Sequence, residues 1–166
     1  MGGLSGEALR IVTLAADHDR TRFTSGAAPL DDYFRRQVTQ DIRRRVTACF
    51  VAVVGDERIA GFYTLASASI QLSQLPVATA KKLPRYPSVP AVRMGRLAVD
   101  QQFQGQGLGG ALLADALTRA ARADIAAFSL MVEAKDEAAA AFYRHHGFIS
   151  LPDAPLTLFL PLSAVK

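Results

Sequence analysis

Cysteine is nearly absent. The 166 residues contain one, Cys49, so no intrachain disulfide can form, and its place in the apolar run Val46 to Val54 predicts a buried structural thiol rather than a nucleophile. Histidine is scarce too, and His18, His145 and His146 lack the spacing of a ligand set, so no metal site is expected. No apolar run approaches the roughly 18 residues of a membrane span. The N-terminus shows no basic stretch followed by an apolar core, so the expectation is a protein that stays in the cytoplasm and meets no membrane. Internal repeats and low-complexity tails are missing as well.

What is present suits a compact enzyme. Half of the residues are apolar (50%), enough at this length to fill one core, and a single domain over residues 1–166 is expected. Lys and Arg number 19 against 15 Asp and Glu, a net charge of +4, which predicts attraction to polyanions. The bases cluster in Arg35-Arg36, Arg43-Arg44-Arg45, Lys81-Lys82 with Arg85, and Arg93 with Arg96.

Periodicity predicts strands at Leu9 to Leu14, Val46 to Val54 and Arg58 to Ile70, with a helix at Leu30 to Arg44. The second and third strands flank a turn at Gly55-Asp56 and form a hairpin. Residues 71 to 90 hold four prolines, so they read as a loop with at most a short helix near Val77 to Lys82. A strand (Ala91 to Val99), a helix (Leu108 to Ala123), a strand (Phe128 to Glu133), a helix (Glu137 to His146) and two strands near Phe148 and Leu156 to Leu160 complete the order. Strands mixed with helices imply an α/β sandwich around a mixed sheet. On the first helix Leu30, Phe34, Val38 and Ile42 form an i, i+4 stripe that leaves Arg36, Arg43 and Arg44 on other faces. Those arginines suit phosphate contacts or an ordinary solvated face.

Residues 104 to 109, Gln-Gly-Gln-Gly-Leu-Gly, lie between a strand and a helix. The first turn of a helix has backbone N–H groups without intrahelical partners at the positive end of the macrodipole, and they attract anions. Gly105, Gly107 and Gly109 allow positive φ and close approach of a pyrophosphate. A dinucleotide fingerprint would come after the first strand, and a P-loop would continue Gly-Lys-Ser/Thr; neither applies. A helix start with glycines for packing alone is the remaining alternative.

Four segments in order carry a resemblance: Arg96-Leu97-Ala98-Val99-Asp100, Gln104-x-x-Gly107-x-Gly109, Ala134-Lys135-Asp136-Glu137, and Ala141-Phe142-Tyr143-Arg144-His145-His146-Gly147-Phe148. Together they resemble the GNAT family of N-acetyltransferases, over about residues 46 to 162. The resemblance implies the GNAT fold, a mixed central β-sheet flanked by helices on both faces, and acetyl-CoA as cosubstrate. By likeness, the coenzyme is held by Leu97, Ala98, Val99, Gln104, Gly105, Gln106, Gly107, Leu108, Gly109, Gly110, Lys135, Asp136 and Phe142. Tyr143 is the implied acid, with an aromatic that only packs its helix as the plain alternative.

A narrower likeness spans almost the whole chain. Leu30-Asp31-Asp32-Tyr33-Phe34, Gln40-Asp41-Ile42-Arg43-Arg44, Gly61-Phe62-Tyr63-Thr64-Leu65, Lys82-Leu83-Pro84-Arg85-Tyr86-Pro87 and Leu151-Pro152-Asp153-x-Pro155-Leu156 resemble the GNAT toxins of bacterial toxin–antitoxin pairs. That likeness implies acetylation of aminoacyl-tRNA and inhibition of translation, with Arg36, Arg43, Arg44, Lys81, Lys82, Arg85, Arg93 and Arg96 as tRNA contacts. It also implies a homodimer and a cognate ribbon-helix-helix antitoxin, with operator DNA bound only through the antitoxin complex. An N-acetyltransferase for a small amine, a peptide N-terminus or a lysine, and a non-catalytic acetyl-CoA-binding module, are the alternatives.

Amide formation from a thioester needs a neutral amine, a stabilised oxyanion and a protonated leaving thiolate. An α-amine, with pKa about 7.7–8.0, is neutral in a sizeable minority of molecules near pH 7.4, whereas a lysine at about 10.4 is neutral only about one time in a thousand. General-base help is therefore worth less for an aminoacyl acceptor than for a lysine. Glu133 and Asp136 are the carboxylates nearest the expected cleft and either could act as base through water; the plainer reading makes them surface or capping groups, with Asp136 or Lys135 starting a helix.

Overall fold

A computed structural model describes residues 8–55 and 57–165; Asp56, in the expected hairpin turn, and Lys166 lie outside them. One seven-stranded mixed sheet forms, as expected from the alternation of strands and helices, with the strands β1 (Leu9–Thr13), β2 (Ala48–Val54), β3 (Arg58–Gln71), β4 (Ser88–Val99), β5 (Ser129–Glu133), β6 (Ile149–Leu151) and β7 (Ala154–Pro161) in the order β1-β2-β3-β4-β5-β7-β6. Two compact units are formed, each from two stretches of chain: one up to Ala66 plus Gly95–Ala116, the other Ser67–Met94 plus everything from Leu117.

The first unit holds β1 (Leu9–Thr13), β2 (Ala48–Val54) and the first part of β3 (Arg58–Gln71). β1 pairs antiparallel with β2, and β2 with β3 across a register shift at Ala52/Val53. Phe62 on β3 points into a cluster with Phe23, Phe34, Val38, Val51 and Val53. Phe34 stacks on Phe62 at 4.2 Å, and Phe23 meets Phe34 and Phe62 edge-on at 5.1 and 5.5 Å. The next residue back, Gly61, faces the other side of the sheet. There α4 (Leu108–Arg122) comes so close that a Cβ on Gly61 would lie 2.8 Å from Leu112 Cδ1 and 3.0 Å from the Ala98 carbonyl. Helices thus cover both faces of this part of the sheet.

The helix expected from Leu30 to Arg44 starts earlier and is not uniform: α1 (Ala28–Asp32), a π-helical segment at Tyr33–Gln37, then α2 (Val38–Arg43). Its apolar stripe packs as the spacing predicts, with Phe34 and Val38 buried and Leu30 and Ile42 against the same cluster. β2 begins at Ala48, two residues later than predicted, because Val46 N–H closes the helix on the Asp41 carbonyl.

The second unit holds α3 (Val77–Ala80), the start of β4 (Ser88–Val99), β5 (Ser129–Glu133), α5 (Glu137–His145), β6 (Ile149–Leu151) and β7 (Ala154–Pro161). The proline-rich stretch is a loop with a 3-10 turn at Leu72–Gln74 and the short α3. Ile70, Leu75, Val89, Ala91, Leu151 and Phe159 form its core. β4 starts before Pro90, whose carbonyl accepts from Phe128 N–H at 2.8 Å. β4 and β5 pair in parallel from Ala91↔Ser129 to Met94↔Val132 and no further. β7 lies antiparallel to both β5 and β6. Cys49 is buried, and no group of three or more metal-ligating side chains occurs among the described residues. No described helix is long and apolar enough to cross a membrane.

Candidate active site

The glycine turn is built on a fully buried carboxylate. Asp100, 0% exposed, accepts from Gln102 N–H at 2.9 Å and Thr24 N–H at 3.0 Å, and faces the Arg58 guanidinium at 3.5 Å. Two amides and a cation compensate the burial of its charge. Gln104 then fixes the start of the turn, its Nε2 donating to the carbonyls of Ser25 and Val99 at 2.9 Å each. Ser25 is itself tied to buried Asp31, which accepts from its N–H at 2.9 Å and its hydroxyl at 2.7 Å. Gln104 thus shapes the turn with its side chain. Sequence reading placed it in the motif without finding this role, and it missed Asp100 as the anchor. The signal was an Asp at the N-cap of Gln101–Phe103.

Gly105 and Gly107 adopt φ of +79° and +82°, a conformation that L side chains disfavour, and a Cβ on either would meet nothing within 4 Å. The turn is therefore shaped by backbone conformation and opens on free space. α4 follows at Leu108, where Ala111 N–H bonds to the Gly107 carbonyl at 3.1 Å; amides ahead of it belong to the first turn, which has no intrahelical acceptors. Gly109 and Gly110 are the second and third residues of that helix. Positive φ, open space and a helix start suit a diphosphate.

Upstream, Thr64, 1% exposed, accepts the Arg96 N–H on its hydroxyl at 3.1 Å. The parallel ladder to β5 ends at Met94, so Leu97, Ala98 and Val99 lie outside that pairing. The Val99 carbonyl is already taken by Gln104.

Tyr143 lies on α5, in the second unit. Asp136 caps this helix, accepting from Ala139 N–H at 2.8 Å, and a left-handed Gly147 (φ +93°) ends it. Tyr143 is 8% exposed and packs edge-on against Phe142 at 5.2 Å and tilted against Phe148 at 5.6 Å. Burial pushes its phenol up to about 12, so it keeps its proton at neutral pH. Of the buried tyrosines, Tyr33 donates to Asp41 at 2.8 Å and Tyr63 to Asp115 at 2.5 Å. Tyr143 makes no hydrogen bond through its hydroxyl among the described residues. A protonated phenol with a free O–H can serve as a proton donor.

The nearby carboxylates have structural work: Asp136 is the cap, and Glu133 faces Arg93 at 3.4 Å. Lys135, His145 and His146 are exposed. Among the expected nucleic-acid contacts Arg36, Arg43, Arg44, Lys81, Lys82 and Arg85 are exposed. Arg93 is paired to Glu133, and Arg96 is half-buried with its guanidinium 3.5 Å from the Tyr33 ring centre.

An acetyltransferase of the GNAT kind is the class that this fold and turn define. The family model described as an acetyltransferase (GNAT) domain matches residues 45–150, and the chain belongs to that family. It is 39% identical over 144 residues, covering 86% of this chain and 85% of the other, to a Mycobacterium tuberculosis protein called tRNA-acetylating toxin. It is similar to the solved structure of AtaT complexed with acetyl-methionyl-tRNAfMet, at 31% identity and a TM-score of 0.88, over 95% of this chain and 97% of that one. A tyrosine-to-phenylalanine mutant of the AtaT toxin, bound to the C-terminus of the antitoxin AtaR and acetyl-CoA, matches at 29% identity and a TM-score of 0.80, over 95% of each chain.

Proposed function

We propose that this chain moves the acetyl group of acetyl-CoA onto the α-amine of an amino acid esterified to tRNA, and that it inhibits translation by doing so. The observation that carries acetyl transfer is the Tyr143 phenol, buried, protonated at neutral pH and without a hydrogen-bond partner among the described residues, whereas the hydroxyls of Tyr33 and Tyr63 are committed to carboxylates. The exposed basic clusters and the similarity to proteins named for tRNA acetylation support aminoacyl-tRNA as the acceptor.

Bound acetyl-CoA supplies the activated acetyl group. The amides of the Gln104–Gly110 segment receive the diphosphate, and backbone of Leu97 to Val99 receives the arm and carbonyl. Lys135 and Phe142 complete the coenzyme contacts, with Asp136 acting through the helix it caps. As the C–S bond breaks and the C–N bond forms, Tyr143 gives its proton to the sulfur and regains one from solvent, which also takes the proton lost by the amine. No carboxylate has to act as base, because the acceptor amine is neutral often enough near pH 7.5.

Residues 1–166 act as a single acetyltransferase domain. The protein acts as a homodimer in the cytoplasm, where aminoacyl-tRNA is found. A ribbon-helix-helix antitoxin silences it, and operator DNA is bound through that complex alone. Adding the protein and acetyl-CoA to a cell-free translation reaction is expected to stop synthesis. An undiminished yield contradicts the proposal.

A further inference from the structure

The end of α2 uses an arginine where the backbone calls for glycine. Arg45 N–H bonds to the Ile42 carbonyl at 3.0 Å and Val46 N–H to the Asp41 carbonyl at 3.0 Å, the paired bonds of a Schellman ending, which puts Arg45 in the left-handed region at φ +62°. α5 ends with the same two bonds, from Gly147 to Arg144 and from Phe148 to Tyr143, and there the left-handed residue is Gly147. A side chain in this conformation is strained, and such strain persists where something other than stability favours the residue.

A helix C-terminus attracts cations, which accounts for Arg43 and Arg44. It does not account for an arginine at the left-handed position, since two cations already serve the dipole and glycine would relieve the strain. Arg43, Arg44 and Arg45 are all exposed, and none of their guanidiniums makes an ion pair or hydrogen bond among the described residues. Three adjacent free guanidiniums on a strained turn present a compact array of donors suited to phosphate oxygens.

We infer that the Arg43–Arg45 turn is a phosphate-binding element for the tRNA backbone, in which Arg45 supplies a contact that its strained conformation is retained to present. This rests on the tRNA reading above and adds Arg45 to it as a binding residue.

The test compares R45G with the parent protein and with E57G. Glu57 is the other left-handed non-glycine residue among the described ones, at φ +67°, and its ion pair to Arg10 is exposed. R45G is expected to raise Tm by about 1–3 °C as strain is relieved. It should also weaken uncharged tRNA binding and lower the slope of log affinity against log salt by about 0.7–0.9. E57G should leave tRNA affinity and slope unchanged, and both variants should bind acetyl-CoA like the parent. R45G with unchanged tRNA affinity and slope overturns the inference while leaving tRNA acetylation standing, and so does an R45G that lowers Tm. A parent protein without salt-dependent tRNA binding, though it binds acetyl-CoA, sinks the tRNA reading itself.

Discussion

The Arg96 guanidinium stacks on the Tyr33 ring at 3.5 Å, and the Tyr33 hydroxyl is held by Asp41 at 2.8 Å. Burial, followed by that hydrogen bond, raises the Tyr33 phenol well above its ordinary range, so the ring stays neutral under an arginine at every physiological pH. The π-helical turn that begins at Tyr33 sets the ring on a helix whose other face packs on Phe62 through Phe34. A strong cation–π contact thereby orients an arginine that belongs to the proposed tRNA surface.

Separating the ring from its hydroxyl tests this arrangement. Y33F keeps the stack and loses the Asp41 bond, which should cost about 0.5–1.5 kcal/mol in chemical denaturation and leave tRNA affinity near the parent value. Y33L also loses the cation–π contact, worth about 0.5–2 kcal/mol, and should weaken tRNA binding as Arg96 is released. Equal tRNA affinity in the two variants would show that the stack has no part in binding.

Gly107 offers a cleaner probe of the phosphate turn. At φ +82° with open space ahead of it, G107A clashes with nothing in the protein and should cost only about 1–2 kcal/mol of stability for the left-handed alanine. The added methyl projects into space assigned to the diphosphate, so calorimetric affinity for acetyl-CoA should fall at least tenfold. An unchanged affinity places the coenzyme elsewhere.

Alkaline stability follows from burial. The Cys49 thiol is raised from 9.0 to about 12 and the Tyr143 phenol from 10.0 to about 12, in both cases by desolvation. Above pH 9 the unfolded chain releases a proton that the folded state keeps, so stability should be level below that point. It then declines as pH rises toward 12, with Tyr143 and Tyr33 joining above pH 10. Each group contributes about 1.4 kcal/mol per pH unit within its window. Urea titrations of C49A should show the decline starting near pH 10 instead of 9; an identical onset contradicts a buried neutral thiol.

Much of the fold is legible because periodicity reports burial: the stripe Leu30, Phe34, Val38, Ile42 and the apolar face of Leu108–Arg122 both pack as their spacing requires. Element ends are less so. Val46 belongs to a helix ending rather than to β2, and β4 reaches back past Pro90, because in each case a bond to a distant or reversed carbonyl decides the boundary. The glycine turn was readable from Gly105 and Gly107, whereas its anchoring was not: Asp100 meets Thr24 across 76 residues and Gln104 meets Ser25 across 79. Tyr143 could be found by its motif, yet its distinguishing property, a hydroxyl without a partner among the described residues, depends on what surrounds it in three dimensions.

Acetyl transfer from radiolabelled acetyl-CoA to purified aminoacyl-tRNA, compared between the parent protein and Y143F, tests the central claim most directly. The parent should place label on the tRNA, and nuclease digestion should release it as an N-acetylated aminoacyl nucleoside. Y143F should fold with stability within about 0.5 kcal/mol of the parent, since the lost hydroxyl has no partner to strand among the described residues, while its turnover falls by about 10²–10⁴. Label that resists nuclease, or a Y143F that turns over like the parent, contradicts the account.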